Sequence, residues 1–213
     1  MEREEPLTPD AVAAWIAENT RSRDRFANVY DASEAHRTQH GSECDVYPSA
    51  SGPLLGALVA ASGAKRILEV GCGLGYSALW LAHGSRPDGV VETCEKSALH
   101  ADLAEEQFRS NGLSSRIKVH RGRSREVLPR LTGLFDFIFC DGDPDQYQVD
   151  FEQFLGLLKP GGTLLSSNLF LGVYISDAPW LEEVAEFRVR ILDDARLDTA
   201  FLPRGLALSV KTN

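Results

Sequence analysis

Short apolar runs alternate with segments of helical periodicity along most of this 213-residue chain. Ile67, Leu68 and Val70 make a continuous apolar run of the kind buried in parallel sheets, and it leads directly into Gly71, Gly73 and Gly75. Tyr76 to Ala82 then reads as a helix, and Gly89 to Cys94 as a second strand ending at Glu95. Leu99, Leu103 and Phe108 share one face of a helix that Asn111 and Gly112 stop. Arg116 to His120 is a third strand, Ser124 to Leu131 a short helix, and Phe135 to Cys140 a fourth, wholly apolar-flanked strand with Asp141 at its end. A helix over Phe151 to Leu158, a turn over Lys159 to Gly162 and a fifth strand over Thr163 to Ser167 follow. The tail offers a helix from Trp180 to Leu192 and two strand-like runs, Ala200 to Leu202 and Leu206 to Val210, separated by Pro203, Arg204 and Gly205. This alternation predicts an α/β fold with a doubly wound, mostly parallel seven-stranded sheet closed by an antiparallel C-terminal hairpin.

The first part of the chain has a different pattern. From Pro9 to Tyr30 the residues Val12, Trp15, Ile16, Phe26 and Val29 are spaced for helices broken by a polar turn around Asn19. Asp31 to Cys44 is polar and His-bearing, Asp45 to Pro53 is loop-like through its prolines and glycine, and a helix is expected over Leu54 to Ala61. Residues 1–45 therefore read as a helical N-terminal extension within one domain spanning 1–213.

A net charge of −9 and a pI near 5.1 make nucleic acid a poor partner. The cluster of Arg121, Arg123, Arg125 and Arg130 is the one candidate exception, and solvated arginines around a cofactor edge account for it better. The amino terminus lacks the basic-then-apolar order of a signal peptide, and no apolar run is long enough to span a bilayer. A cytoplasmic protein without membrane contact is expected. Cys44, Cys72, Cys94 and Cys140 show no C-x-x-C spacing and read as reduced, structural thiols.

The glycine segment carries the chemistry. Glycines let the backbone turn tightly and approach a ligand where a Cβ would clash. The dinucleotide spacing G-x-G-x-x-G would place its third glycine at Tyr76, whereas here it falls one residue early, at Gly75, which argues against NAD. An acid two residues before the first glycine, Glu69, gives instead an E-x-G-x-G-x-G loop resembling motif I of class I S-adenosylmethionine (SAM) methyltransferases. In an open α/β sheet ligands bind beyond the carboxyl ends of the strands, where Glu69, Glu95, Ser124, Asp141, Ser167 and Asn168 stand. Glu95 is placed to accept two ribose hydroxyls, and the helix opened by Tyr76 and Ser77 offers free backbone N–H groups to a carboxylate.

Four segments together make the resemblance more specific: Glu69 to Ser77, Cys94-Glu95, Phe135 to Asp143 and Leu158 to Gly162. They resemble the small-molecule O-methyltransferases related to catechol and caffeoyl-CoA O-methyltransferases, over roughly Tyr47 to the carboxyl terminus. The resemblance implies that Glu69, Gly71, Tyr76 and Ser77 line the methionine end of SAM, that Glu95 holds the ribose, and that Ser124 and Arg125 meet the adenine. It also implies that Tyr47 approaches from the N-terminal loop and that Asp141 contacts the SAM amino group and, in the family, a divalent metal.

Two departures qualify that carry-over. The family follows its metal-binding Asp with a segment like D-A-D-K, whose Lys is the general base; here that position is Pro144. Its second metal site is an Asp-Asn pair, and here the pair is Ser167-Asn168. Losing one carboxylate weakens any site for a hard cation, so a divalent metal is doubtful and no metal ligands are assigned. Asp143 and His40 are candidate replacements for the base beside Asp141. An Asp before a proline is also a common turn former, and His36 and His40, spaced i, i+4, suit a surface as well as a base or metal pair. Tyr147 resembles the family's aromatic in the same loop and suits packing equally well.

The expected function is SAM-dependent methylation, most simply O-methylation of a small hydroxylated molecule, by a homodimer whose N-terminal helices expose Trp15, Ile16 and Phe26. The alternatives are a methyltransferase of other specificity, RNA included, and a non-catalytic homologue that binds SAM or its product, S-adenosylhomocysteine (SAH).

Overall fold

The structure is a computed structural model, and it describes residues 8–21, 23–41, 44–48, 52–173, 175–202 and 205–212. Pro203 and Arg204 of the expected hairpin turn lie outside the described residues. Strands β1 (Arg66–Val70), β2 (Val90–Glu95), β3 (Ile117–Arg121), β4 (Phe135–Cys140), β5 (Leu158–Ser166), β6 (Leu197–Leu202) and β7 (Leu206–Lys211) form one seven-stranded sheet in the order β3-β2-β1-β4-β5-β7-β6. The first five pair in parallel, and β7 joins antiparallel to both β5 and β6, as the sequence predicts.

Helices α1 (Pro9–Arg21), α2 (Ala27–His40), α3 (Gly52–Ser62), α4 (Tyr76–Gly84), α5 (Ala98–Ser110), α6 (Ser124–Val127), α7 (Tyr147–Leu157) and α8 (Leu181–Asp193) complete the chain. Two cores result. One packs α3, α4 and α5 against the sheet through Leu55, Val59, Leu79, Phe108, Phe137 and Phe139. The other packs α7 and α8 through Leu68, Ile138, Phe151, Phe154, Phe187 and Ile191. Successive apolar residues of β1 and β4 thus serve opposite cores, which is why these strands carry apolar residues on both faces. No helix among the described residues is long and apolar enough to cross a membrane.

The structure corrects several boundaries. Asn19 does not break the first helix: its side chain donates to the Trp15 carbonyl at 2.9 Å inside α1. The break comes later, where Asp24 Oδ1 accepts from the Phe26 N–H at 2.8 Å. Asp31 to His40 is helical although mostly polar, since only Val29 and Ser33 of α2 are buried and no apolar stripe announces it. Lys159 to Gly162, expected as a turn, belongs to β5, whose pairing with β4 shifts register between Phe135 and Phe137. Phe26 is buried against Trp80, with ring centroids 5.2 Å apart, so of the expected dimer face only Trp15 and Ile16, with Val12, are exposed.

Candidate active site

β1 hydrogen-bonds to β2 on one side and β4 on the other, so the connections leave it in opposite directions and a crevice opens at its carboxyl end. A cleft of about 740 Å³ occupies that place. Its wall includes Gly71, Gly73, Tyr76, Ser77, Glu95, Ser124, Asp141, Asp143, Tyr47 and Asn168. Tertiary structure therefore unites most of the residues singled out from the sequence, drawn from six different connections.

The glycines differ in what they do. A Cβ on Gly71, which has φ +95°, would lie 2.3 Å from the Asp141 carbonyl oxygen, so this glycine lets the β1 and β4 loops touch. Gly75 does not line the cleft: a Cβ there would meet the Phe108 ring at 2.4 Å, and its role is close packing against α5.

Glu95 ends β2 and is buried, with Oε2 accepting from the Gly73 N–H and Oε1 from the Ser97 N–H, both at 2.8 Å. Burial raises its pKa, and the two N–H groups oppose that shift. Each oxygen keeps a lone pair for a second donor. Glu69 lies deeper, outside the cleft wall and fully buried, and accepts from Thr93 Oγ1 at 2.6 Å. Its Oε1 has no well-aligned donor among the described residues, and burial pushes its pKa up to about 8 against the Ser77 and Thr93 hydroxyls. The Ser77 hydroxyl is thus drawn toward Glu69, and the Tyr76 hydroxyl donates to Asp24 of the N-terminal segment. At these two positions it is the first turn of α4 that faces the crevice.

Asp141 stands half-buried at the end of β4, and desolvation moves its pKa up to about 6. Both Ser167 Oγ and Asn168 Nδ2 (2.9 Å) donate to the same oxygen, Oδ1. Asn168 adopts φ 61°, a left-handed conformation that turns its amide back toward Asp141. This set offers a hard cation one carboxylate whose Oδ1 already serves two protein donors, and the donor chemistry does not fit a tightly held divalent ion.

Three sequence candidates are placed differently from expectation. Asp143 reaches the cleft but is ion-paired with Lys96 at 2.6 Å and Arg123 at 3.4 Å, which removes it as a free base. His40 is exposed and outside the cleft wall; His100, which the sequence did not single out, stands there. Arg125 is exposed and also outside the wall, where Arg123 takes its place beside Ser124. Tyr147 is buried, and its hydroxyl touches the Gly142 carbonyl at 3.4 Å and the Asn168 amide at 3.5 Å. Lys96 was missed altogether. It bridges Asp143 and Asp45 (2.9 Å), and although burial disfavours its charge, the two carboxylates hold its pKa above the ordinary value. Its only sequence signal is its place directly after Glu95, at a strand end.

The arginine cluster is dispersed in the same way. Arg121 is committed to Asp102 and Glu105 at 2.8 and 3.1 Å and Arg123 to Asp143 at 3.4 Å, so two of the four charges are locally neutralised. All four cysteines are free and buried.

Comparison with known proteins agrees with this geometry. The family model for O-methyltransferases matches residues 27–211. A relative named O-methyltransferase from Mycobacterium sp. (strain JLS) is 38% identical over 168 residues, covering 76% of this chain and 76% of its own. One from Mycobacterium tuberculosis is 36% identical over 163 residues, covering 73% and 72%. Among solved structures, the tomaymycin-synthesis O-methyltransferase of Streptomyces achromogenes, in complex with SAM, superposes with a TM-score of 0.78 at 26% identity over 100% of both chains. The Bacillus cereus O-methyltransferase in complex with SAH gives 0.75 at 27% identity over 95% of this chain and 97% of that one. Fold, cleft and family model converge: the chain belongs to the O-methyltransferase family, whose cofactor is S-adenosylmethionine.

Proposed function

We propose that the cleft binds SAM through the β1–α4 loop, Glu95 and Asp141, and methylates the oxygen of a small, readily ionised hydroxyl compound. The carrying observation is the Lys96–Asp143 pair at the cleft, 2.6 Å apart. Glu95 accepts the ribose hydroxyls, Asp141 the amino group, and the backbone N–H groups that open α4 receive the carboxylate. SAM, when bound, supplies a methyl group already activated on a sulfonium. The residues then have to hold the acceptor oxygen in line and exclude water.

Lys96 defines the acceptor. The family's basic residue is replaced by Pro144, yet Lys96 enters from the end of β2 and brings a cation to the neighbouring Asp143. Held charged, Lys96 is no base, but it stabilises an oxyanion on the acceptor. A phenol or other hydroxyl that ionises near neutral pH suits such a site. With a single carboxylate at the Asp141 site, we read the reaction as proceeding without a divalent ion.

A screen of phenolic and non-phenolic acceptors with labelled SAM, with and without magnesium, tests this. Transfer confined to acidic hydroxyls and indifferent to magnesium supports it; transfer only to weakly acidic alcohols, or strict magnesium dependence, overturns it. We also read the exposed Trp15, Ile16 and Val12 of α1 as a homodimer contact, supported by their accessibility. Sedimentation at micromolar concentration showing only monomer overturns that reading.

A further inference from the structure

His36 of α2, Cys44 of the segment after it and His100 of α5 converge with their ligand atoms all within 4.8 Å of one another. The two imidazoles approach through Nε2, 3.3 Å apart. Zinc held tetrahedrally by two imidazoles at 2.0–2.1 Å needs an N···N edge of about 3.3 Å. The thiol of Cys44 is buried, and its sulfur accepts from the Val46 N–H at 3.4 Å.

We propose that His36, Cys44 and His100 form a site for a soft divalent transition metal, zinc by its chemistry, distinct from the catalytic cleft's Asp141 group. Two imidazoles and a thiolate are the donors such an ion prefers and a hard cation such as magnesium avoids. Burial, and then neighbouring imidazoles, lowers the pKa of His36; burial also leads the lowering for His100. Neutral rings have lone pairs free to ligate at neutral pH. His100 directs its other nitrogen, Nδ1, toward Glu95 Oε1 at 3.8 Å, the side on which metal-bound histidines commonly find a carboxylate. His40, one turn after His36, packs its ring against it, with centroids 4.3 Å apart and planes tilted by 40°.

The consequence is a clip. The site joins the polar helix α2 and the Cys44–Pro48 segment, which brings Val46 and Tyr47 to the cleft, to α5 of the main domain. α2 buries only Val29 and Ser33 along its length, so a metal bond adds an attachment that packing does not provide.

The test uses the full-length protein stripped with chelator and then titrated with Zn²⁺ against a chromophoric chelator, and separately with Co²⁺. One zinc equivalent is expected, with Co²⁺ giving a thiolate-to-metal absorption in the near ultraviolet and the intense visible bands of a tetrahedral ion. His36→Gln and Cys44→Ser each weaken zinc by about 100-fold or more, the upper end of what disturbing a metal site costs. Cys44→Ser also abolishes the thiolate band. Asp141→Asn leaves both intact. Absence of a stoichiometric zinc, of a thiolate band in the unaltered protein, or loss of zinc binding in Asp141→Asn overturns the site. So does zinc affinity unchanged in His36→Gln and Cys44→Ser.

Discussion

The Ser167 hydroxyl donates to Oδ1 of Asp141, the oxygen that also receives the Asn168 amide. A position where relatives are expected to place a second carboxylate is thus occupied by a neutral donor that satisfies the first. The local charge is one unit less negative, and a hard cation's affinity depends strongly on charged oxygen ligands.

Omission of magnesium is therefore expected to leave SAM binding and methyl transfer intact, while Ser167→Asp creates magnesium binding detectable by calorimetry. Stoichiometric magnesium held by the unaltered protein through Asp141 and Asn168 would refute this account.

Glu95→Ala removes the acceptor for two backbone N–H groups and for the ribose proposed to bind there. SAM and SAH affinity should fall by about 1 to 3 kcal/mol, the scale of a lost charge-assisted acceptor. Calorimetry beside an NAD control checks it; unchanged affinity excludes Glu95 as a ligand.

Glu69 makes stability depend on pH. Its carboxyl, ordinarily near 4.5, is raised to about 8 in the folded protein, so between those values the folded state holds a proton that the unfolded state has released. Stability contributed by this group is complete below pH 4.5 and is lost as pH rises toward 8. Glu69→Gln, which stays neutral, should gain melting temperature relative to the unaltered protein between pH 5 and pH 8.5. A difference that stays constant across that range is the contrary result.

Two glycines separate conformation from space. Gly112 has φ +70° with nothing within 4 Å of its Cβ position, and Gly112→Ala should cost about 1 kcal/mol from backbone conformation alone. Gly71→Ala adds the clash with the Asp141 carbonyl and should cost about 2 to 4 kcal/mol. Urea denaturation measures both, and equal losses would mean that the loops yield freely.

Lys96→Met tests the cation at the cleft. Turnover of phenolic acceptors should drop at least about tenfold with SAM affinity unchanged, as expected for loss of one preorganised charge beside an oxyanion. Equal turnover removes Lys96 from the chemistry.

The sequence by itself determined the parallel sheet, the C-terminal hairpin and the cofactor loop. Apolar runs such as Phe135 to Cys140 can only be buried on both faces, and positions such as Gly71 tolerate no Cβ, so local chemistry carries their structure. It read residues 1–45 as helical but left the extent of α2 beyond Tyr30 open, since that helix carries almost no apolar stripe. Only the tertiary structure decided which polar groups at the strand ends are free. Asp143 looked like a base until Lys96 and Arg123, distant in sequence, arrived to pair with it. His100 and Cys44 carried no recognisable motif until α5 and the segment after α2 were brought beside His36. A side chain's neighbours across the crevice are set by how whole elements pack, and that information is not local to any stretch of the chain.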